Sequence, residues 1–81
     1  MIVIDVHGFT VAEAIYAIQR LIVNNPQCGC IEVIHGYNNG DAIKQALSNK
    51  FNIHSKRVLN TYQDEFNAGK TIICLKKVLK N

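Results

Sequence analysis

Two phrases constrain this chain most: Ile4-Asp5-Val6-His7-Gly8 near the start, and Ile34-His35-Gly36-Tyr37-Asn38-Asn39-Gly40 in the middle. Each is an apolar, β-branched run that ends in His-Gly, and each is followed by residues at helical spacing. Strand, tight turn and helix, met twice, predict two parallel strands joined by a helical crossover. With the strands adjacent, both histidines reach one edge of the sheet, beside two helix N-termini. Open α/β sheets bind ligands at such an edge, and helix N-termini there favour anions, phosphate above all.

The remaining elements follow from spacing. Residues 1–7 read as a strand, with Ile2, Ile4 and Val6 on one face and Val3, Asp5 and His7 on the other. Thr10-Val11-Ala12-Glu13 is a capping box that opens a helix, with Thr10 as N-cap. Val11, Ala14, Ile15, Ile18, Leu21 and Ile22 form its apolar stripe, and Asn24-Asn25-Pro26 ends it. Residues 30–35 form a second, buried strand. Asn39 is placed to cap a second helix, with Ile43, Ala46, Leu47 and Phe51 as its stripe and Asn52 as its stop. Residues 56–62 and 71–78 read as two further strands, separated by a polar loop over 63–70. Strands with no helix between them pair antiparallel. The order is therefore βαβαββ, an α/β chain folded as an α+β two-layer sandwich with both helices on one face of a mixed four-stranded sheet.

A chain of 81 residues, 48% hydrophobic, suits one domain spanning 1–81 with a real core. The net charge of +3 permits nucleic-acid binding without demanding it. Eight of the nine basic residues fall at or after Lys44, and on charge alone a solvated basic face is the simpler account. Three cysteines without a signal-peptide pattern point to reduced thiols and a cytoplasmic location. Cys74, within an apolar strand pattern, reads as a small core residue. Cys28-Gly29-Cys30 does not match zinc spacing, and no apolar run is long enough to span a membrane. The expectation is no tightly bound metal or cofactor, with the part of any divalent cation left open. A start directly in the first strand suggests a homodimer or one part of a larger assembly.

At this point the residues resemble a family. Ile4-Asp5-Val6-His7-Gly8 resembles the Leu-Asp-x-His-Gly signature of the small MutS-related (Smr) domain. The stretch from His35-Gly36 to Gly40 is similar to its second signature, His-Gly-x-Gly-x-Gly, and Gly69-Lys70-Thr71 through Leu75 resembles its closing strand. Three departures stand out: Asn38 replaces the middle glycine, Asn39 replaces the usual Thr or Ser, and the glycine-rich stretch shrinks to Asn67-Ala68-Gly69. The resemblance implies a fold like the C-terminal domain of bacterial translation initiation factor three, with strand order 1-2-4-3. It also implies binding to DNA or RNA and, as in several members, endonuclease activity that nicks DNA or cleaves RNA.

The residues themselves offer a chemistry for that. Asp5 and His7 share one strand face, and a carboxylate beside an imidazole can fix the ring and support its protonated form. Phosphodiester cleavage needs proton transfer and stabilised phosphate charge. Asp5 and His7 are the candidate catalytic pair, and His35 is a second acid–base group or a phosphate donor. Strict alternation puts His35 with Ile31 and Val33; if Glu32 takes the open face, His35 points toward the helix layer and reaches only the rim, and spacing leaves both placements open. Gly36 and Gly40 bracket a turn whose backbone N–H groups could face a phosphate. Asn39 lies in the same turn, Tyr37 could stack on a base, and Lys44 and Lys70, with Lys56 and Arg57, could follow a backbone. His54 lies outside both signatures. The alternatives are a non-catalytic DNA- or RNA-binding module and a protein-interaction domain, in which the same polar residues serve only the turns.

Overall fold

The computed structural model describes residues 1–37 and 41–78. It contains β1 (Ile2–Asp5), α1 (Val11–Asn24), β2 (Cys30–Ile34), α2 (Asp41–Ser48), a short 3-10 helix (Lys50–Ile53), β3 (Val58–Asp64) and β4 (Asn67–Leu75). The four strands form one sheet in the order β1-β2-β4-β3. β1 and β2 are parallel, and the other two pairings are antiparallel. This is the expected βαβαββ two-layer arrangement with strand order 1-2-4-3.

Side-chain alternation decides which face is covered. Ile31 and Val33 of β2, Ile73 and Leu75 of β4, and Val6 after β1 share one core with Ala14, Ile18 and Ile22 of α1 and Ile43 and Leu47 of α2. Val3, Glu32, Lys70, Ile72 and Cys74 therefore occupy the other face, which no helix among the described residues covers. Cys74 is not a core residue as its apolar neighbours suggested; Ile73 and Leu75 take the core positions, and the thiol between them points outward, partly exposed.

α1 begins as the capping box requires. Thr10 accepts from the Glu13 N–H at 3.1 Å, and Glu13 accepts from the Thr10 N–H at 2.8 Å. Its far end is closed by Arg57, 29 or more residues away in sequence. The guanidinium donates to the carbonyls of Ile22, Asn25 (3.2 Å), Pro26 (3.0 Å), Cys28 (3.0 Å) and Lys76 (2.9 Å). A cation at a helix C-terminus complements the dipole and satisfies orphan carbonyls. Arg57 is thus a structural clasp and not part of a phosphate track.

Two other expectations shift. The helical stripe does not run on to Phe51: α2 ends at Ser48, and the Asn49 side chain accepts from the Phe51 N–H at 3.0 Å to open the 3-10 helix. That change of pitch leaves Phe51 74% exposed and buries Ile53 instead. The polar loop expected over 63–70 is mostly strand. Only Glu65 and Phe66 lie between β3 and β4, and the Asp64 carboxylate accepts from the Phe66 N–H at 2.8 Å. Backbone pairing with the sheet outweighs the low strand propensity of Asn67-Ala68-Gly69.

Candidate nucleic-acid interface

The first His-Gly phrase ends β1 in a tight turn. The Phe9 N–H donates to the Val6 carbonyl at 3.0 Å, and Gly8 occupies the third turn position at φ +81°. That position demands a left-handed backbone, which glycine adopts without strain. The turn leaves His7 exposed, with 74% of its side chain in solvent. Asp5, two residues earlier on the same face, reaches it twice. The Asp5 Oδ1 accepts from the His7 backbone N–H at 3.0 Å and lies 2.6 Å from ring Nδ1. A carboxylate only accepts, so Nδ1 carries the proton of this bond. Nε2 has no hydrogen-bond partner among the described residues. The His7 backbone N–H, and after it the ring hydrogen bond, hold the Asp5 carboxyl below its ordinary value.

The second His-Gly phrase ends β2 beside the first. A Cβ built on Gly36 would lie 3.7 Å from the His7 Cβ, and Gly36 itself sits at φ +80°. The two turns therefore form one rim. Their imidazoles do not meet there. His35 is 1% exposed and points into the helix side of the sheet. Its Nδ1 lies 3.2 Å from the Gly36 carbonyl, an acceptor only, and its Nε2 lies 2.9 Å from Thr71 Oγ1. The carbonyl only accepts, so Nδ1 carries the proton of that bond, and the Thr71 hydroxyl is the partner of Nε2. Both ring nitrogens are engaged within the protein.

β4 completes the rim. The backbone N–H groups of His35 and Gly36 both donate to the Gly69 carbonyl, at 2.9 and 3.1 Å. The Gly36 N–H, expected to face a phosphate, is committed there. A Cβ on Gly69 would come within 3.4 Å of the Gly36 Cα and 3.1 Å of the Asn67 side-chain oxygen. That oxygen accepts from both the Gly69 N–H (2.9 Å) and the Tyr37 hydroxyl (2.7 Å). Tyr37 is otherwise exposed, its ring lying over Gly69.

The model of the Smr domain family matches residues 4–76. The chain belongs to the Smr domain family. Its fold is also similar to the crystal structure of the Smr domain of Thermus thermophilus MutS2. The TM-score is 0.77 at 25% identity, and the match covers 94% of this chain and 99% of that one. No curated protein matches the chain. The family is nucleic-acid-binding and nuclease-related.

The other residues singled out by sequence divide between paired, placed and undescribed. In this Smr domain Lys70 stands on the open sheet face, its Nζ 3.6 Å from Glu32, so its charge is already paired. Lys44 is half-buried in the first turn of α2. Asn39 and Gly40, with Asn38, lie outside the described residues. Sequence reasoning missed Thr71 and Asn67. Thr71 had a visible signal, a lone hydroxyl at the head of the apolar run of a central strand; Asn67, in a polar stretch, had none. Among the described residues no group of three His, Cys, Asp or Glu side chains converges as a metal site would. No helix among them is long and apolar enough to cross a membrane.

Proposed function

We propose that this Smr domain grips a DNA or RNA backbone at its double His-Gly rim and cleaves it, with His7 as the general acid–base group and Asp5 as its positioning partner. The observation that carries this reading is the Asp5–His7 pair, with Nδ1 tied to the carboxylate and Nε2 facing solvent. A neutral Nε2 can take the proton of an attacking hydroxyl or water. The imidazolium that results is stabilised by the adjacent Asp5 carboxylate and can return the proton to the leaving oxygen. His35 acts as a positioning residue: through Gly36 and Thr71 it fixes the backbone of the rim against β4. Tyr37, at the mouth of the second turn, offers an exposed ring on which an unpaired base can stack. Lys44 supplies charge beside the same turn, with Asn39 and Gly40 completing the phosphate contact.

The test is cleavage of supercoiled plasmid and of structured RNA by the wild type and by His7→Ala. Loss of a general acid–base group costs about 10²–10⁴ in rate. Cleavage unchanged in His7→Ala would remove the catalytic assignment.

One observation favours a second reading, a binding module without catalysis. The rim offers a single free imidazole, since His35 is sealed into the core. Salt-dependent binding that survives His7→Ala, with no product from the wild type, selects that reading.

A further inference from the structure

The open face of the sheet carries chemistry that the rim does not use. Cys30 and Cys74 are directly opposite each other across β2 and β4, and both are partly exposed free thiols. The hydrogen bonds fix what kind of pair they are. The Leu75 N–H donates to the Gly29 carbonyl at 2.8 Å, joining the residues that flank the pair. At the other end of the same ladder the His35 N–H donates to the Gly69 carbonyl, placing that bond inside its own pair. The two bonds agree in phase, and both make Cys30–Cys74 a non-hydrogen-bonded pair. In such pairs the Cα atoms lie about 4.5 Å apart and the side chains lean together. A disulfide needs Cα atoms about 4.4–6.8 Å apart. Cys28 is elsewhere: it packs against the core, and its thiol donates to the Cys30 carbonyl at 3.1 Å.

We infer that Cys30 and Cys74 are an oxidisable pair that closes into a cross-strand disulfide when the domain meets a peroxide. The thiolate of one cysteine attacks a peroxide oxygen. The O–O bond breaks, hydroxide leaves and is protonated to water, and a sulfenic acid remains. The second thiol attacks that sulfur, the S–O bond breaks, and a second water leaves. Two thiols thus lose two electrons to one peroxide, and two waters form. The new bond staples β2 to β4 at the end of the sheet away from the His-Gly rim, four residues along β2 from Ile34. It encloses more than half of the chain, so it restricts the unfolded state and raises stability. This inference does not depend on the function proposed for the rim.

The experiment treats the full chain with hydrogen peroxide, blocks remaining thiols, and digests it with trypsin without reduction. The expected product joins peptide 21–44 to peptide 71–76, two hydrogens lighter than the separate pair. Tandem fragmentation places the link at Cys30 and not at Cys28. Cys28→Ser gives the same link; Cys30→Ser and Cys74→Ser lose it. The oxidised protein melts about 5 °C or more higher, and dithiothreitol reverses the gain. A link through Cys28, chain-to-chain dimers in place of the internal bond, or conversion to sulfinic acid without a crosslink would each overturn the inference. The wild-type mapping needs no variant to fold.

Discussion

The Asp5 carboxylate holds His7 at two points with a single oxygen, 3.0 Å from the backbone nitrogen and 2.6 Å from ring Nδ1. The double grip needs Asp5 at the end of β1 and His7 at the second position of the turn that follows. The backbone bond braces the start of the turn and the ring bond sets the tautomer, so the geometry of the loop and the chemistry of the imidazole are tied together.

The Asp5 carboxyl therefore titrates below its ordinary value of 3.8. A carboxyl whose pKa is lowered on folding stabilises the fold above its unfolded pKa, and that contribution is lost as pH falls through the folded value. Asp5 is exposed, so the effect on stability is slight, and carbon-detected NMR titration of the carboxyl is the sensitive measurement. His7→Ala returns the midpoint only part of the way, because the larger cause, the backbone N–H of residue 7, remains. A full return to 3.8 in His7→Ala would show that the ring, and not the turn, governs Asp5.

His35 and Thr71 form a buried pair, and breaking it leaves a ring nitrogen without a partner. Thr71→Val keeps the shape but removes the hydroxyl, and costs about 1–3 kcal/mol in urea unfolding. Thr71→Ser restores most of the loss. Equal stability of Thr71→Val and wild type would mean that the His35–Thr71 bond contributes nothing to the fold.

Gly36 and Gly69 touch, yet they resist side chains for different reasons. A Cβ on Gly36 has ordinary room beside His7, so Gly36→Ala pays for its left-handed backbone, about 1–2 kcal/mol. Gly69 meets Asn67 and the Gly36 backbone instead, so Gly69→Ala costs about 1–3 kcal/mol through crowding. Asn67→Ala in the Gly69→Ala background recovers part of the loss, and in the Gly36→Ala background recovers none. Recovery in both would show a shared clash.

Much of this architecture is legible in the sequence, where the determinants are local. Alternation in Val3, Asp5 and His7 gives the exposed face, Thr10 and Glu13 give the helix start, and alternation in β2 groups His35 with Ile31 and Val33, whose face the structure shows to be the buried one. What escaped depends on partners far along the chain. Arg57 reads as one more surface cation until α1 is seen to end beneath it. Asn67-Ala68-Gly69 has loop composition, but the carbonyl of Gly69 is needed by two backbone N–H groups of the second His-Gly turn, and this draws the segment into the sheet. Phe51 keeps helical spacing, but Asn49 caps a new helix of different pitch and rotates the ring outward.

The cations can be separated by what each is already doing. Arg57 is spent on five backbone carbonyls, so Arg57→Ala lowers stability, by about 2–3 kcal/mol, and leaves nucleic-acid affinity per folded molecule unchanged. Lys44, in the first turn of α2, is the cation assigned to the phosphate contact, and Lys44→Ala reduces affinity and makes the dependence of log K on log salt shallower by about one unit. Lys70 is shared with Glu32, so releasing it changes the outcome in the opposite direction. Glu32→Gln removes the competing carboxylate and one negative charge from the open face, and strengthens binding at low salt. Electrophoretic mobility shifts across a salt series, with single-stranded and duplex probes, measure all three. A loss of affinity in Arg57→Ala equal to that in Lys44→Ala would return Arg57 to the binding surface.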